Sequence, residues 1–345
     1  EEAIPGAQLV KDFASDIKKI FILKGMILGS VRRAQKKVEK RDPCLIVFTT
    51  GSTGNPKPAL LCHEAILVQN IGLKVGFGLK DDDRMLVNLP PSHVGCVTEQ
   101  LATTFYGGGT AVILHLFKPE DSLDAIQKYN CDLCGQIPAL FAMEWRLPNY
   151  DDYDISSLRF ALYGGQSVTR EFLVKLKKMA PYAGTGLGLT ETAGFVTYTP
   201  WEASVDDILK SVGYDSPLYP ISIREPMNDD GTAGKVLEKG EVGEICFSGP
   251  QNFNGYLGDP ENTAKTLSKD GVVYTGDLGS YDDDGLHFAG RAKFVIKPKG
   301  YQVYPPAIED ALMNELKDKI SAIAIVGAPH EVYSEGVVAY VEKKP

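Results

Sequence analysis

The sequence contains no long apolar run. Its longest, such as Cys44 to Phe48 and Ala111 to Leu114, fall far short of the roughly 20 residues that cross a bilayer as a helix, so no membrane span is expected. It also has no basic excess. Its 36 lysines and arginines are outnumbered by 45 aspartates and glutamates, for a net charge of −9. That balance argues against a nucleic-acid partner, whose phosphates need a basic face, while leaving room for a local basic groove around a small anion. Cysteine is sparse, and the six present (Cys44, Cys62, Cys96, Cys131, Cys134, Cys246) include one lone C-x-x-C at Cys131 and Cys134. No second pair or neighbouring histidine completes a zinc site there. Buried, reduced thiols suit this scatter, with redox or metal chemistry as the alternative. The start, Glu1-Glu2-Ala3-Ile4-Pro5, lacks the charged and apolar sections of a secretory signal. A cytoplasmic location is the default expectation, and a start without Met points to a piece of a longer chain. There is no repeat of about 20–50 residues and no low-complexity tract.

What is present is enough for a full core: 345 residues, 43% apolar and 23% charged. At about 150 residues per domain this suggests two domains, or one large domain with an appendage. Apolar β-type runs alternate with helical stretches. A short run Lys19 to Leu23 and a basic helix around Val31 to Lys40 precede strand Leu45 to Phe48, which enters a Gly/Ser/Thr loop at Thr49 to Gly54. A helix from about His63 to Gly72 leads to strand Leu86 to Leu89. A helix from about Thr98 to Tyr106 leads, past Gly107 to Gly109, to strand Thr110 to Leu114. Helix Ser122 to Tyr129 precedes strand Asp132 to Gln136, helix Ala139 to Arg146 precedes strand Leu158 to Tyr163, and helix Thr169 to Met179 precedes the turn Gly184 to Gly188. Such alternation predicts an α/β fold with parallel strands flanked by helices.

Past Pro200 the strands become short and are separated by Gly, Asp and Pro (Ile221 to Arg224, Gly243 to Ser248, Val272 to Tyr274, Leu286 to Ala289), predicting a small β-subdomain over about 200–290. From Arg291, strand Phe294 to Lys297, helix Pro306 to Leu316 and strands Ile320 to Val326 and Gly336 to Val341 read as a partial α+β module. The expected organisation is thus a large domain over 1–290, incomplete at its start, and an incomplete C-terminal module over 291–345.

The first chemical signal is Thr49-Thr50-Gly51-Ser52-Thr53-Gly54-Asn55-Pro56-Lys57. Small residues let backbone N–H groups approach phosphate oxygens, hydroxyls add donors and a lysine adds positive charge. It is not the G-x-x-x-x-G-K-[ST] loop, because Lys57 follows a proline. A flexible strand-to-helix loop is the plainer reading. Thr190-Glu191 places a hydroxyl beside a carboxylate after a glycine-rich turn, suiting Mg²⁺ bridged to phosphate or an ordinary acidic helix start. Asp277, in a Gly-flanked turn, can accept from two vicinal hydroxyls or serve the turn alone.

These motifs resemble the adenylate-forming superfamily of acyl- and aryl-CoA ligases, luciferases and nonribosomal adenylation domains. The similarity runs in order through the T-T-G-S-T-G-N-P-K loop, Gly164-Gly165, Gly186 to Glu191, Gly243-Glu244, Gly249-Pro250, Gly255-Tyr256, Tyr274 to Asp277, Gly290 to Lys293 and Lys297 to Tyr301. The resemblance implies that Thr50, Gly51, Ser52, Thr53, Gly54 and Lys57 bind ATP phosphates, that Thr190 contacts the α-phosphate and that Glu191 holds Mg²⁺. It further implies that Asp277 takes the ribose with Arg291 as companion, and that Gly164, Gly165, Gly186, Leu187 and Gly188 receive AMP. Leu187 stands where the family commonly stacks an aromatic on adenine, and Pro58 where a glycine usually follows the lysine.

His93 matches the residue that gates the acyl pocket, whose walls by the same resemblance include Val94, Gly95, Ala193 and Gly194 together with Gly164, Gly165 and Gly188. The other histidines (His63, His115, His287, His330) suggest no metal or acid–base role. Lys293 matches the hinge of the mobile C-terminal module, and Lys297, with Lys299-Gly300-Tyr301, the segment presented for thioester formation. A late adenylation lysine of the family has no counterpart here. The implied activity is an ATP-dependent acid:CoA ligase using ATP, Mg²⁺ and CoA on a small carboxylic acid. Adenylation for a carrier protein, a luciferase-type oxygenase and a truncated nucleotide-binding relative are the alternatives. Ser92-His93-Val94-Gly95-Cys96 lacks the early aspartate that pairs with an amino acid's amine.

Overall fold

The computed structural model describes residues 29–49, 56–296, 298, 302–330 and 334–344. The expected strand Lys19 to Leu23 lies outside them. The chain forms two compact units, Glu1–Asp42 and Pro43–Pro345. In the first, helix α1 (Ser30–Gln35) is shorter than the stretch to Lys40 that the sequence suggests. Residues 32–40 are all exposed, so no buried stripe extends the helix beyond its first turns.

The second unit opens with an antiparallel pair, β1 (Pro43–Thr49) and β2 (Lys57–Cys62), whose register ends at Thr49 opposite Lys57. The loop motif is therefore closed by a strand pair and does not run straight into a helix. The apolar run Pro58-Ala59-Leu60-Leu61-Cys62 supplies the second strand, with Ala59, Leu61 and Cys62 buried. The Cys62 sulfur accepts from the Ala65 N–H at 3.4 Å and caps helix α2 (His63–Gly76).

The main layer then builds as β3 (Arg84–Val87), a π-helix (Gly95–Ala102) continuing into α3 (Thr103–Gly107), β4 (Thr110–Ile113), α4 (Pro119–Tyr129), β5 (Leu133–Gln136), α5 (Pro138–Glu144), β6 (Phe160–Tyr163), α6 (Arg170–Met179) and β7 (Tyr182–Gly184). The five strands form a parallel sheet in the order β4-β3-β5-β6-β7. Successive side chains leave a strand on opposite faces, and the two cores show it. Leu86, Cys134 and Ala161 join Leu123, Ile126, Phe141, Leu173 and Leu176 on one face. Met85, Leu133 and Phe160 join Leu73, Phe77, Phe195 and Tyr198 on the other. Burial on both faces is why these strands read as continuous apolar runs. All six cysteines are free. Burial pushes Cys131 up to about 11 and holds Cys134 well above its ordinary value, which leaves both as unreactive thiols.

After β7 come the short pairs β8 (Gly188–Leu189) with β9 (Gly194–Phe195) and β10 (Thr197–Tyr198) with β11 (Tyr214–Asp215), helix α7 (Val205–Lys210) lying between the latter two. A four-stranded antiparallel sheet follows, β12 (Ile221–Arg224), β13 (Gly243–Ser248), β14 (Val272–Asp282) and β15 (Gly285–Arg291), with helix α8 (Pro260–Thr266) inserted before β14. β14 runs eight residues past the expected Tyr274, carrying Asp277 inside a strand.

Beyond Arg291 the structure differs from the sequence-based reading. Ala292–Phe294 is a 3-10 turn of exposed residues, and Ile296 makes only an isolated bridge to Val303, in place of a strand Phe294 to Lys297. Phe294 lies in solvent while Ile296 is buried, and no neighbouring strand edge extends that single bridge into a sheet. Helix α9 (Pro305–Glu315) and the hairpin of β16 (Ile320–His330) with β17 (Ser334–Lys343) complete the unit. Among the described residues no helix is long and apolar enough to cross a membrane.

Candidate nucleotide and acid site

In an open parallel sheet the peptide turns that leave the carboxyl ends of the strands are free to hold a ligand, especially where the strand order reverses. Here the order reverses at β3, which has β4 on one side and β5 on the other. A cleft of about 2300 Å³ opens there, lined by the turns after β3 (Asn88 to Gly95), β5 (Gln136, Ile137), β6 (Gly164, Gly165) and β7 (Thr185 to Gly188). The cleft also takes in Lys57, Thr190, Glu191, Asp277 and Arg291. Residues spread over 235 positions of sequence thus border one space.

Thr190 and Glu191 sit in a 3-10 turn, Thr190–Thr192, rather than at a helix start. The turn is fixed from three sides. The Thr192 hydroxyl donates to Leu189 O and Gly194 O (3.1 and 2.9 Å), the Phe253 N–H donates to Glu191 O (2.9 Å), and the Tyr256 hydroxyl donates to Glu191 Oε1. Lys57 Nζ stands 5.2 Å from the centre of the Tyr256 ring, a cation–π distance. Tyr256 therefore links the lysine that ends the glycine-rich loop to the carboxylate of the Thr-Glu pair.

Asp277 lies directly across from Arg291 in the β14–β15 register. Its Oδ1 is 3.1 Å from Arg291 Nε, yet the alignment is not that of a hydrogen bond, and among the described residues this buried oxygen has no donor. Burial pushes Asp277 up to about 6; Arg291 acts against the rise and Glu191 adds to it. Glu244, which accepts from the Gly276 N–H at 2.9 Å, is likewise raised by burial, with a contribution from Asp277. A buried acceptor without a donor, on the wall of a cleft, fits a pair of ligand hydroxyls.

Among the described residues no three His, Cys, Asp or Glu side chains group to hold a metal. Glu191 as a single carboxylate therefore fits a Mg²⁺ completed by phosphate oxygens and water, a common arrangement for that ion, and does not fit an all-protein site.

The glycines have packing reasons besides any ligand. A Cβ on Gly186 would stand 1.9 Å from Thr197 O, and one on Gly164 would stand 3.1 Å from Phe195 Cζ. Leu187 is half-buried and packs beside Val196 and Tyr219 while still lining the cleft.

On the other side of the cleft, His93 is exposed to it and its Nδ1 accepts from the Gly95 N–H at 3.0 Å. Desolvation holds the ring below its ordinary pKa. Val94 and Gly95 line the same wall. Ala193 and Gly194 are buried behind it, Ala193 O accepting from the Thr98 hydroxyl at 2.6 Å. Three amides brace the floor. Gln100 donates to Gly135 O (2.7 Å) and Asn88 Oδ1 (3.1 Å), Asn88 donates to Gln136 Oε1 (2.7 Å), and Gln136 donates to Glu144 Oε2 (2.9 Å). Burial pushes Glu144 up to about 7, opposed by its bonds from Ser122 and Gln136.

Sequence reasoning passed over Glu99, Tyr256, Glu244 and this amide ladder as site residues. For Tyr256 and Glu244 the signal was their place in Gly255-Tyr256 and Gly243-Glu244; for the ladder, polar residues at the ends of apolar runs. Thr50, Gly51, Ser52, Thr53, Gly54 and Lys297 lie outside the described residues. Lys293 is exposed, over the Phe294 ring at 4.4 Å, and does not line the cleft.

The switch-point cleft is that of an open α/β protein, and the chain belongs to the AMP-binding enzyme family, whose model matches residues 6–257. It is 30% identical over 323 residues to 4-coumarate–CoA ligase 3 of Arabidopsis thaliana, covering 87% of this chain and 54% of that protein. It is 31% identical over 295 residues to a feruloyl-CoA synthase of Amycolatopsis, covering 85% of this chain and 58% of that one. Its fold matches ATP-bound MatB from Rhodopseudomonas palustris with a TM-score of 0.75 at 25% identity, over 89% of this chain and 59% of MatB. The chain thus spans little more than half the length of these relatives.

Proposed function

We propose that the chain carries the nucleotide and acid sites of an ATP-dependent acid:CoA ligase. In this reaction a carboxylate attacks the α-phosphorus of ATP, giving an acyl-adenylate and pyrophosphate. The thiol of CoA then displaces AMP to leave a thioester. The names of two relatives, a coumarate ligase and a feruloyl-CoA synthase, support CoA as acceptor and an aryl acid as substrate.

The observation that carries the reading is Asp277, which lines the same cleft as Glu191 and Lys57 and whose buried Oδ1 has no donor among the described residues. Asp277 accepts from the ribose hydroxyls, with Arg291 holding its charge in place. Thr190 and the loop ending at Lys57 donate to phosphate oxygens, where charge grows as the carboxylate attacks. Glu191, held by Tyr256, binds Mg²⁺, which neutralises phosphate charge when bound. Gly164 and Gly165 leave backbone free against the base, and His93 borders the acid. No side chain is needed as nucleophile; the chain positions and stabilises. Residues 291–345 act as the start of a module that turns about Lys293 between half-reactions, presenting Lys297. The cytoplasm, which supplies ATP and CoA, is the proposed location.

The test is pyrophosphate release from Mg·ATP by the full-length gene product with fatty, aryl and amino acids. Release with an aryl or fatty acid and a loss of about 100-fold in Glu191→Gln, at unchanged melting temperature, is expected. Release with no acid rejects the ligase reading, and an unchanged Glu191→Gln rate rejects the metal assignment.

A further inference from the structure

Glu99, on the π-helix, lines the cleft but takes no part in the chemistry above. Its carboxyl is enclosed by two residues without side chains. A Cβ on Gly194 would stand 2.6 Å from Glu99 Oε1, and one on Gly95 would stand 3.6 Å from Oε2. The same Gly194 position lies 3.1 Å from Gln69 Nε2, a fully buried amide nitrogen with no hydrogen-bond partner. Among the described residues the Phe195 N–H is the one donor that acts on Glu99, and no basic side chain stands near enough to offset its charge. Burial accordingly pushes Glu99 up to about 8. His93 borders the niche, its Nδ1 lying 3.2 Å from the Gly95 Cβ position.

A protein that keeps a carboxyl without a basic partner on a ligand-sized cleft, with an unpaired amide buried beside it, bears a desolvation cost that a matching ligand group removes. Against an ionised Glu99 the reacting carboxylate of an acid would bring two negative charges together in a poorly solvated space, whereas a donor is matched both by the ionised carboxylate and by the carbonyl of the protonated acid. The matching group is a donor. We propose that Glu99 is a specificity-determining residue that accepts a hydrogen bond from a hydroxyl or amino group carried by the acid substrate, separate from its reacting carboxyl. The proposal rests on the acid-ligase reading. Gln69 donates to the oxygen of a ligand hydroxyl, or to the carboxylate of Glu99 once the ligand fixes it. A site built around a buried hydrogen-bonding group rejects analogues that lack the partner far more strongly than an apolar pocket separates them by size.

The test uses the full-length gene product and two matched series: hexanoate, 6-hydroxyhexanoate and 6-aminohexanoate, and cinnamate with its 4-hydroxy and 4-aminomethyl derivatives. Pyrophosphate release gives kcat/KM, and calorimetry gives binding independently of turnover. In the series that fits the cleft, a donor-bearing acid is expected to exceed its donor-free parent by about tenfold or more in binding and in kcat/KM. Glu99→Gln keeps a preference for the hydroxyl, because its carbonyl still accepts, but loses any preference for the amine; Glu99→Leu loses both. The hydroxyl and amino arms decide which donor the niche takes. Equal binding of donor-bearing and donor-free acids by the wild type, or a preference that survives in a folded Glu99→Leu, overturns the proposal. Absence of pyrophosphate release with every acid, alongside a retained binding preference, overturns the ligase reading and leaves the niche standing.

Discussion

Asp277 sits at an energetic disadvantage that a bound ribose would relieve. Its pKa of about 6 lies above the ordinary 3.8 because it is buried. The folded state therefore holds the Asp277 proton more tightly than the unfolded chain does. Its contribution to stability falls as pH rises from 3.8 towards 6, and the deficit is complete above 6. Asp277→Asn removes the buried charge at nearly constant volume. At pH 7.5 the variant is expected to be more stable than the wild type by about 1–3 kcal/mol, with the two converging near pH 4. Its nucleotide affinity is expected to fall by about tenfold or more. Melting curves over this pH range, with calorimetric titration of ATP, check both parts. A variant that is less stable at pH 7.5 and binds ATP normally would show that Asp277 belongs to the fold and not to the ligand. Glu144 and Glu99, pushed up to about 7 and 8, slope the same way, so the difference between variant and wild type is the quantity to read.

At the scale of elements, the cleft floor depends on three amides that tie β3, β5 and the π-helix together. Gln100 is the shared member. Its side chain donates to Asn88 Oδ1 and Gly135 O and accepts from the Asn88 and Leu89 N–H groups at 3.2 and 3.3 Å. Gln100→Leu keeps the volume but strands several buried polar groups at once. A loss of about 2–4 kcal/mol is expected, measured by urea denaturation, and a cost below about 0.5 kcal/mol would mean that water replaces the ladder.

The same elements show what sequence could and could not disclose. Apolar periodicity was enough for four of the five parallel strands and their helices, because both faces of the sheet are buried; the three-residue β7 was too short to show, and its end was read as a glycine-rich turn. It was blind to β2, where attention to the loop motif hid the apolar run behind Lys57. It also missed α7 and α8, though Ser204 with Asp207 forms a capping box and Asp259 caps the helix that begins at Pro260. The expected strand at Phe294 failed for the opposite reason: apolar composition without a neighbouring edge to pair with. Single motifs named Glu191 and Asp277, but the bond from Tyr256 to Glu191 spans 65 positions. Glu99 lies six residues beyond His93, an offset that straight α-helical spacing does not bring to one face; the π-helix and the glycines at 95 and 194 open the space around it.

At the scale of the whole molecule, an acidic chain presents cationic side chains to its cleft by local arrangement. Lys57 and Arg291 are brought to the cleft by the β1–β2 and β14–β15 pairs, while most of the 45 acidic residues lie elsewhere. The central claim is that β2, the turn after β9's partner strand β8 and the middle of β14 serve one nucleotide. A crystal structure with AMP, or with ATP and Mg²⁺, measures this directly. The account predicts ribose hydroxyls within hydrogen-bonding distance of Asp277, phosphate at Thr190 and near Lys57, and any Mg²⁺ on Glu191. A nucleotide bound away from Asp277 and Glu191, or touching only one of the three elements, would contradict it.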